Sequence, residues 1–301
     1  MEINYAVPGL YEHYNLNFMI LDLMRKYPEF FNDNTKIEAC YGNFQFCLFD
    51  GGRVFQNYRQ TTKEEIEHIV NVYNNEFEVP IRLVFTSNQL KPEHYHDRFC
   101  NVILELCENE KNQIVLVDDG LKEYIQTNYP KYSYVSSTTK CLTSSEQLKK
   151  ELNNQDFVEV CLDYNLNKKF NILDDLSAAE IEKAEFLINA ICPAGCVNRK
   201  EHYKLNSLLH LNYGKDFRVP ACPIGGNTLD PKTANSTNNL SPKEIYNIYA
   251  PRGFKHFKLE GRTLSDLENA CNYVKYMVKP EYQFYVLELL MNSSCVFKKD
   301  L

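Results

Sequence analysis

Eight short apolar runs recur along the chain, and segments with helical spacing separate them. That alternation constrains the fold more than any other feature. The runs cover 3–7, 36–40, 81–86, 113–117, 132–135, 157–162, 185–189 and 256–259. Most carry apolar residues on both faces, as a strand buried in a parallel sheet requires. Between them, 17–25 sets Phe18, Ile20, Leu21 and Met24 at helical spacing, and 63–74 does the same with Ile66, Ile69, Val70 and Val72. A third such stretch, 98–109, carries Val102, Ile103, Leu106 and Cys107. Capping boxes mark helix starts at Thr61-x-x-Glu64, Ser144-x-x-Gln147 and Ser241-x-x-Glu244, the last with Pro242 at the first helical position. The pattern predicts a (β/α)8 TIM-type barrel, regular or imperfect, in a single α/β domain over 1–301. An open doubly wound sheet is the runner-up. It calls for a Gly-rich phosphate turn after the first strand, and Pro8-Gly9-Leu10 is not one. No internal repeat is present. The low-complexity stretch 225–239 reads as a long surface loop or lid near 223–240.

Barrels of this type place their chemistry at the carboxyl ends of the strands. Those ends carry Asn88 after strand three, Asp163 after strand six, and Glu260 after strand eight, the candidate polar or acid–base residues. Lys258, Glu260 and Arg262 alternate, so they face one side of a strand. Three charges there are costly to bury unpaired, which predicts an ion-paired network at the rim. A helix starting near Arg199 puts Arg199, His202 and Tyr203 on one face. Arg and His together suit an anionic group. Arg53, Arg199, His202, Lys258 and Arg262 are therefore the candidate substrate-binding residues. His94 and His96 read as surface residues.

Cysteine usage needs the composition beside it. The chain has 301 residues, 11 of them Cys, and 33 Lys and Arg against 40 Asp and Glu, a net charge of −7. An acidic balance argues against general nucleic-acid or anionic-membrane binding and leaves room for a local basic pocket. Hydrophobic residues at 44% and charged residues at 24% exclude wholesale disorder. No apolar run nears the ~20 residues that span a bilayer. The start, Met1-Glu2-Ile3-Asn4-Tyr5, lacks the layout of a signal peptide. The expectation is a cytoplasmic protein away from membranes, where grouped cysteines bind metal or do chemistry.

Cys192 and Cys196 form a Cys-x3-Cys pair, and Cys222 follows 26 positions later. Pro193, Gly195 and Pro223 make rigid loops that present thiolates. A fourth ligand comes from Cys40, or from Cys47 or Cys161. Four thiolates suit a [4Fe-4S] cluster, with zinc on Cys192, Cys196, Cys222 and His202 as the alternative. A radical-SAM signature needs a further Cys at 199, where the chain has Arg. Cys100, Cys107 and Cys271 read as ordinary packed thiols.

The stretch from Ser241-Pro242-Lys243-Glu244 to Lys258-Leu259-Glu260-Gly261-Arg262 resembles the peptidase U32 superfamily. Its members carry a helix, a short turn and a strand ending in Lys-(Ile/Leu)-Glu-Gly-Arg. The resemblance covers roughly 155–280. It implies a barrel and, for several members, an oxygen-sensitive [4Fe-4S] cluster on four cysteines. It also implies either collagenase-like peptidase activity or oxygen-independent hydroxylation of a quinone precursor or of RNA bases. Some quinone-pathway members work as heterodimers. Cys40, Cys192 and Cys196 look like the placement in one of these, although this chain has no cysteine a dozen residues before Cys192 and has Cys222 after it.

The resulting expectation is an iron–sulfur enzyme acting on a small molecule or RNA base that carries an anionic group. It works as a homodimer or with a related partner chain. A peptidase ranks lower, because the chain has neither Gly-x-Ser-x-Gly nor His-Glu-x-x-His. A non-catalytic, metal-stabilised partner subunit ranks third.

Overall fold

The structure, a computed structural model, describes residues 2–52, 59–212 and 237–294. Eight parallel strands close a barrel in the order of the chain. They are β1 (Ile3–Pro8), β2 (Thr35–Gly42), β3 (Ile81–Phe85), β4 (Gln113–Leu116), β5 (Ser133–Ser136), β6 (Phe157–Cys161), β7 (Ala184–Leu187) and β8 (His256–Lys258). Each expected run became a strand, with ends shifted by a residue or two. β8 closes the ring on β1 through Asn4 opposite His256.

Helices fill the connections. They are α1 (Tyr14–Lys26), α2 (Lys63–Asn71), α3 (Arg98–Cys107), α4 (Asp119–Asn128), α5 (Ser145–Leu152), α6 (Phe170–Leu173), α7 (Ala178–Lys183) and α8 (Arg199–Leu211). After the undescribed stretch come α9 (Pro242–Glu244), α10 (Asp266–Met277) and α11 (Gln283–Ser294). The helix expected over 63–74 runs as α2 and then widens into a π-helical turn over Val72–Glu76. Its cap lies one residue later than expected. Thr62, not Thr61, accepts from Glu65 N and Glu65 answers to Thr62 N. Thr61 is buried, and its hydroxyl accepts from Gln45 N at 3.0 Å. Ser144 and Ser241 cap as expected, Ser241 with a full box to Glu244.

The strands are apolar on both faces because both faces are covered. Ile3, Tyr5, Ile37, Cys40, Ile81, Leu83, Phe85 and Phe257 pack outward against the helices. Ala6, Tyr41, Val84, Val115 and Val135 pack inward, inside the barrel. Each fully buried aliphatic or Phe side chain contributes about 1.5–3 kcal/mol. Two strands carry an extra residue against their neighbour. Tyr5 pairs with Ile37 and Ala6 with Ala39, leaving Glu38 as the bulge. Tyr134 pairs with Phe157 and Val135 with Glu159, leaving Val158. Such bulges re-aim side chains.

Gly261, in the Lys258–Arg262 stretch, is required by a close approach. A Cβ there would sit 1.9 Å from Asn269 Oδ1 and 2.9 Å from Pro8 Cγ. Asn269 Nδ2 donates to Gly261 O at 2.9 Å, so α10 is fastened to the chain just past β8. Among the described residues, no helix is long and apolar enough to cross a membrane. The loop expected over 225–239 lies outside the described residues up to 236.

Candidate functional site

Polar side chains converge at the carboxyl ends of the strands. A small cavity there has Tyr41, Val84, Val115 and Leu187 beneath it and Thr86, Ser137, Tyr164, Cys192, Glu260 and Arg262 around it. A larger cavity of about 400 Å³ lies beside it on the same face, between the β1–α1 turn and α2, lined by Glu12, His13, Gln45, His68 and Asp266. Glu12 lines the larger cavity and interacts electrostatically with Arg262 of the smaller one. Burial pushes its carboxyl pKa up, while Arg262 pulls it down and Asp50 pushes it further up.

Among the described residues, each of the three alternating charges engages partners of its own. Lys258 Nζ sits 4.1 Å from the centre of the Tyr41 ring and 3.8 Å from Glu185 Oε2. Arg262 Nη1 donates to Asp50 Oδ2 at 2.7 Å. Glu260 Oε2 accepts from Ile191 N at 2.9 Å. Asn189 brackets the Glu260 backbone, accepting from its N–H at 2.6 Å and donating to its carbonyl at 2.9 Å. Glu260 thus holds the start of the loop that carries Cys192. Gly52 fits tightly beneath Arg262 and Thr86, each 3.1 Å from where its Cβ would stand.

Arg199 opens α8 and is buried among partners. Its Nη1 pairs with Asp163 Oδ2 at 2.5 Å, its Nε donates to Tyr203 Oη at 2.8 Å, and its Nη2 donates to Thr138 O at 3.0 Å. Its guanidinium lies 4.2 Å from the Tyr164 ring centre. Arg199 and Tyr203 share a helix face as expected, and that face points into the protein. Asp163 also accepts from Asn165 N and Nδ2. The expected anion binder and the expected acid–base residue therefore hold each other. His202 is half-buried on α8. Asn88 is half-buried at the rim, and its N–H donates to Ser207 Oγ at 3.2 Å.

The cysteines divide by layer. Cys192 and Cys196 are partly exposed on the loop after β7. Cys192 packs against Cys161, Tyr164, Leu187 and Ala190 and faces the cavity. Tyr164 Oη donates to Pro193 O, and Gly195 N to Asn165 Oδ1, so the loop is tied to the end of β6. Cys40 lies in the outer layer, hydrogen-bonded to Tyr73, and burial pushes its thiol pKa far up. Cys47 Sγ is 3.5 Å from Cys100 Sγ in that same layer. Cys161 points inward and hydrogen-bonds to Glu185, with burial again raising its thiol pKa. Cys222 and Arg53 lie outside the described residues.

Sequence reasoning overlooked Cys141. It follows β5 in a left-handed conformation (φ 54°). Burial raises its thiol pKa, Arg199 and Lys200 draw it down, and Asp163 and then Cys192 add to the rise. A lone cysteine carries no spacing signal, so nothing in the sequence marked it.

A second polar cluster, also overlooked, fills the opposite, amino end of the barrel. Arg82 Nη2 pairs with Glu159 Oε1 and its Nη1 with Glu185 Oε1, both at 2.6 Å. Its Nε donates to Gln113 Oε1, and Glu38 Oε1 lies 3.5 Å from its Nη2. His256 Nδ1 is 2.6 Å from Glu38 Oε2 and 3.8 Å from Glu159 Oε2. Burial lifts the Glu159 carboxyl to about 7, with Glu38 and Glu185 adding to the rise against Arg82. Burial lowers the His256 pKa, but the bond to Glu38 and the charge of Glu159 outweigh it, and the net shift is upward. One charged residue inside each of several buried strands was the available signal.

No family model matches the chain, and no curated protein matches it. Among solved structures it is similar to the U32 peptidase Mk0906, with a TM-score of 0.46 and 14% identity, over 87% of this chain and 93% of that one.

Proposed function

We propose that the chain is a U32-like barrel enzyme with an iron–sulfur cluster at its carboxyl-end mouth. It would carry out oxygen-independent hydroxylation, or a related modification, of a small molecule or nucleic-acid base bearing an anionic group. The observation that carries this reading is the position of the Cys192–Cys196 loop, which opens onto the same cavity as Lys258, Glu260 and Arg262. The Lys258–Arg262 stretch is also where the sequence resembles the U32 superfamily.

The donor set fits a cluster. Cys192 and Cys196 are partly exposed, as thiols that meet a metal group must be, and Cys222 follows on the same connection. Cys141 is the proposed fourth ligand: it follows β5 at the same end of the barrel, and Arg199 and Lys200 draw its thiol pKa down against burial and Asp163. Cys40 and Cys47 pack among apolar side chains in another layer, and Cys161, although Cys192 packs against its cluster, is buried and hydrogen-bonded to Glu185, which raise its thiol pKa against Lys258 and Arg82. Bound there, a [4Fe-4S] cluster would supply one-electron chemistry.

The remaining groups prepare the mouth. Lys258 and Arg262 give it a positive field for an anionic substrate group. Glu260 fixes the Cys192 loop through Ile191 N. Asp163 and Arg199 brace that loop from the side of β6. Tyr41 and Tyr164 supply flat walls for a ring. A peptidase is the second class of reaction this superfamily offers, and the U32 neighbour bears that name.

Anaerobic purification tests the proposal. The protein should be brown and hold about four irons per chain. Cys192→Ser and Cys141→Ser should lose the colour, and Cys271→Ser and Cys40→Ser should keep it. A colourless protein, or one with a single zinc, contradicts the cluster. Cleavage of a peptide library after iron removal would favour the peptidase.

A further inference from the structure

We propose that Glu38, Glu159 and His256 form a divalent-cation site at the amino end of the barrel, separate from the cysteine loop. Their ligand atoms lie within 4.8 Å of one another, the one such group among the described residues. They come from three strands. Glu38 is itself the β2 bulge, and Glu159 follows the extra residue Val158 of β6. Each bulge turns a carboxylate toward the imidazole at the start of β8.

The oxygens around this point are short of partners. Glu38 Oε1, Glu159 Oε2 and Asn4 Oδ1 are buried and accept no hydrogen bond from the described residues. Asn4 is an independent pointer. It is 3% exposed, shares the inward face of β1 with Ala6, and stands opposite His256 in register. Buried polar atoms in native proteins nearly always find a partner, and a bound cation is one partner that such oxygens accept.

Charge points the same way. Glu38, Glu159 and Glu185 place three carboxylates inside the barrel. The permanent cations facing them are Arg82 and Lys258. Arg82 and Lys258 both engage Glu185, and Arg82 reaches only one oxygen of Glu159. Glu38 Oε1 lies only at the edge of Arg82, 3.5 Å from its Nη2, and the second Glu159 oxygen is 3.8 Å from His256 Nδ1. An imidazole with carboxylate and amide oxygens suits Mn²⁺, Fe²⁺ or Zn²⁺. The ion would replace the proton shared by His256 and Glu38, and that proton leaves to water. Glu38 and His256 retain 10% and 12% of their side-chain exposure, which gives the ion a path in.

Mn²⁺ is the probe of choice, because it prefers oxygen and nitrogen over the thiolates at the other end. Full-length protein, stripped with chelator, is titrated with Mn²⁺ and followed by electron paramagnetic resonance and thermal melting. The expected result is one bound ion per chain and a melting point that rises with Mn²⁺. At a hundredfold excess over Kd, folding should be favoured about a hundredfold. His256→Ala and the near-isosteric Glu159→Gln should lose both effects, and Cys192→Ser should keep them. If His256→Ala does not fold, Glu159→Gln alone decides. No Mn²⁺ bound by the wild type, or equal binding by wild type and Glu159→Gln, overturns the site and leaves an ion-pair and proton network only.

Discussion

Arg82 is the residue on which the barrel interior turns. It is 2% exposed and holds Glu159 and Glu185 through separate nitrogens. Removing one partner of a buried charge group leaves the others uncompensated, at a cost of about 3–5 kcal/mol. Arg82→Met should therefore lower the denaturant midpoint by that equivalent. Arg82→Lys should recover part of the loss, since one ammonium cannot reproduce the fork. Equal stability of Arg82→Met and wild type would mean the carboxylates are neutralised some other way. At this scale the sequence was legible where spacing carried information. Lys258, Glu260 and Arg262 do line one cavity, although β8 itself ends at Lys258 and only the first of them lies on the strand. Their partners were not legible, since Asp50 and Glu185 are remote in sequence. Cys40 and Cys192 look alike in a string of letters, and only the parity of β2 in the closed barrel sends one outward.

At the scale of elements, caps and bulges set where chains turn. Ser241 caps α9 and Glu244 closes the box, directly ahead of the stretch that resembles the U32 superfamily. Ser241→Ala should cost about 1 kcal/mol. Glu244 adds a pH dependence. Burial pushes its carboxyl up, but the backbone and hydroxyl of Ser241 and the ammonium of Lys168 outweigh that, and its pKa falls below 4.5. A lowered folded-state pKa stabilises above the ordinary value and loses that contribution as pH falls through the folded value. The stability gap between wild type and Glu244→Gln should stay level from neutral pH to about 4.5 and close below it. A gap that widens in acid would contradict the assignment. The strands were readable because burial on both faces leaves a continuous apolar run. The bulges were not, because they are properties of a pair of strands. The Thr61 to Thr62 shift shows the same limit: two adjacent threonines, each followed three residues later by Glu, offer two equivalent boxes.

At the scale of the molecule, the barrel has two polar ends with different work. The carboxyl end gathers loops, and so carries Cys141 after β5 and Cys192 and Cys196 after β7, with Cys192 lining the cavity. The amino end gathers charges from the strands themselves. The two should be independent. His256→Ala should keep its iron and colour, and Cys192→Ser should keep its Mn²⁺ response. Loss of iron in His256→Ala protein that still melts cooperatively would tie the ends together. The barrel could be read from the alternation of runs, because sequential parallel strands leave few alternatives to closure. The placement of Cys141 could not, because it depends on which loops follow the strands to the same end of the barrel. The central claim is that sulfur ligands at the carboxyl end hold iron. Iron-edge X-ray absorption on anaerobically prepared full-length protein tests it most directly. The account predicts an all-sulfur first shell with iron–iron scattering behind it, lost in Cys192→Ser. An oxygen and nitrogen shell without iron–iron scattering, or no iron at all, would contradict it.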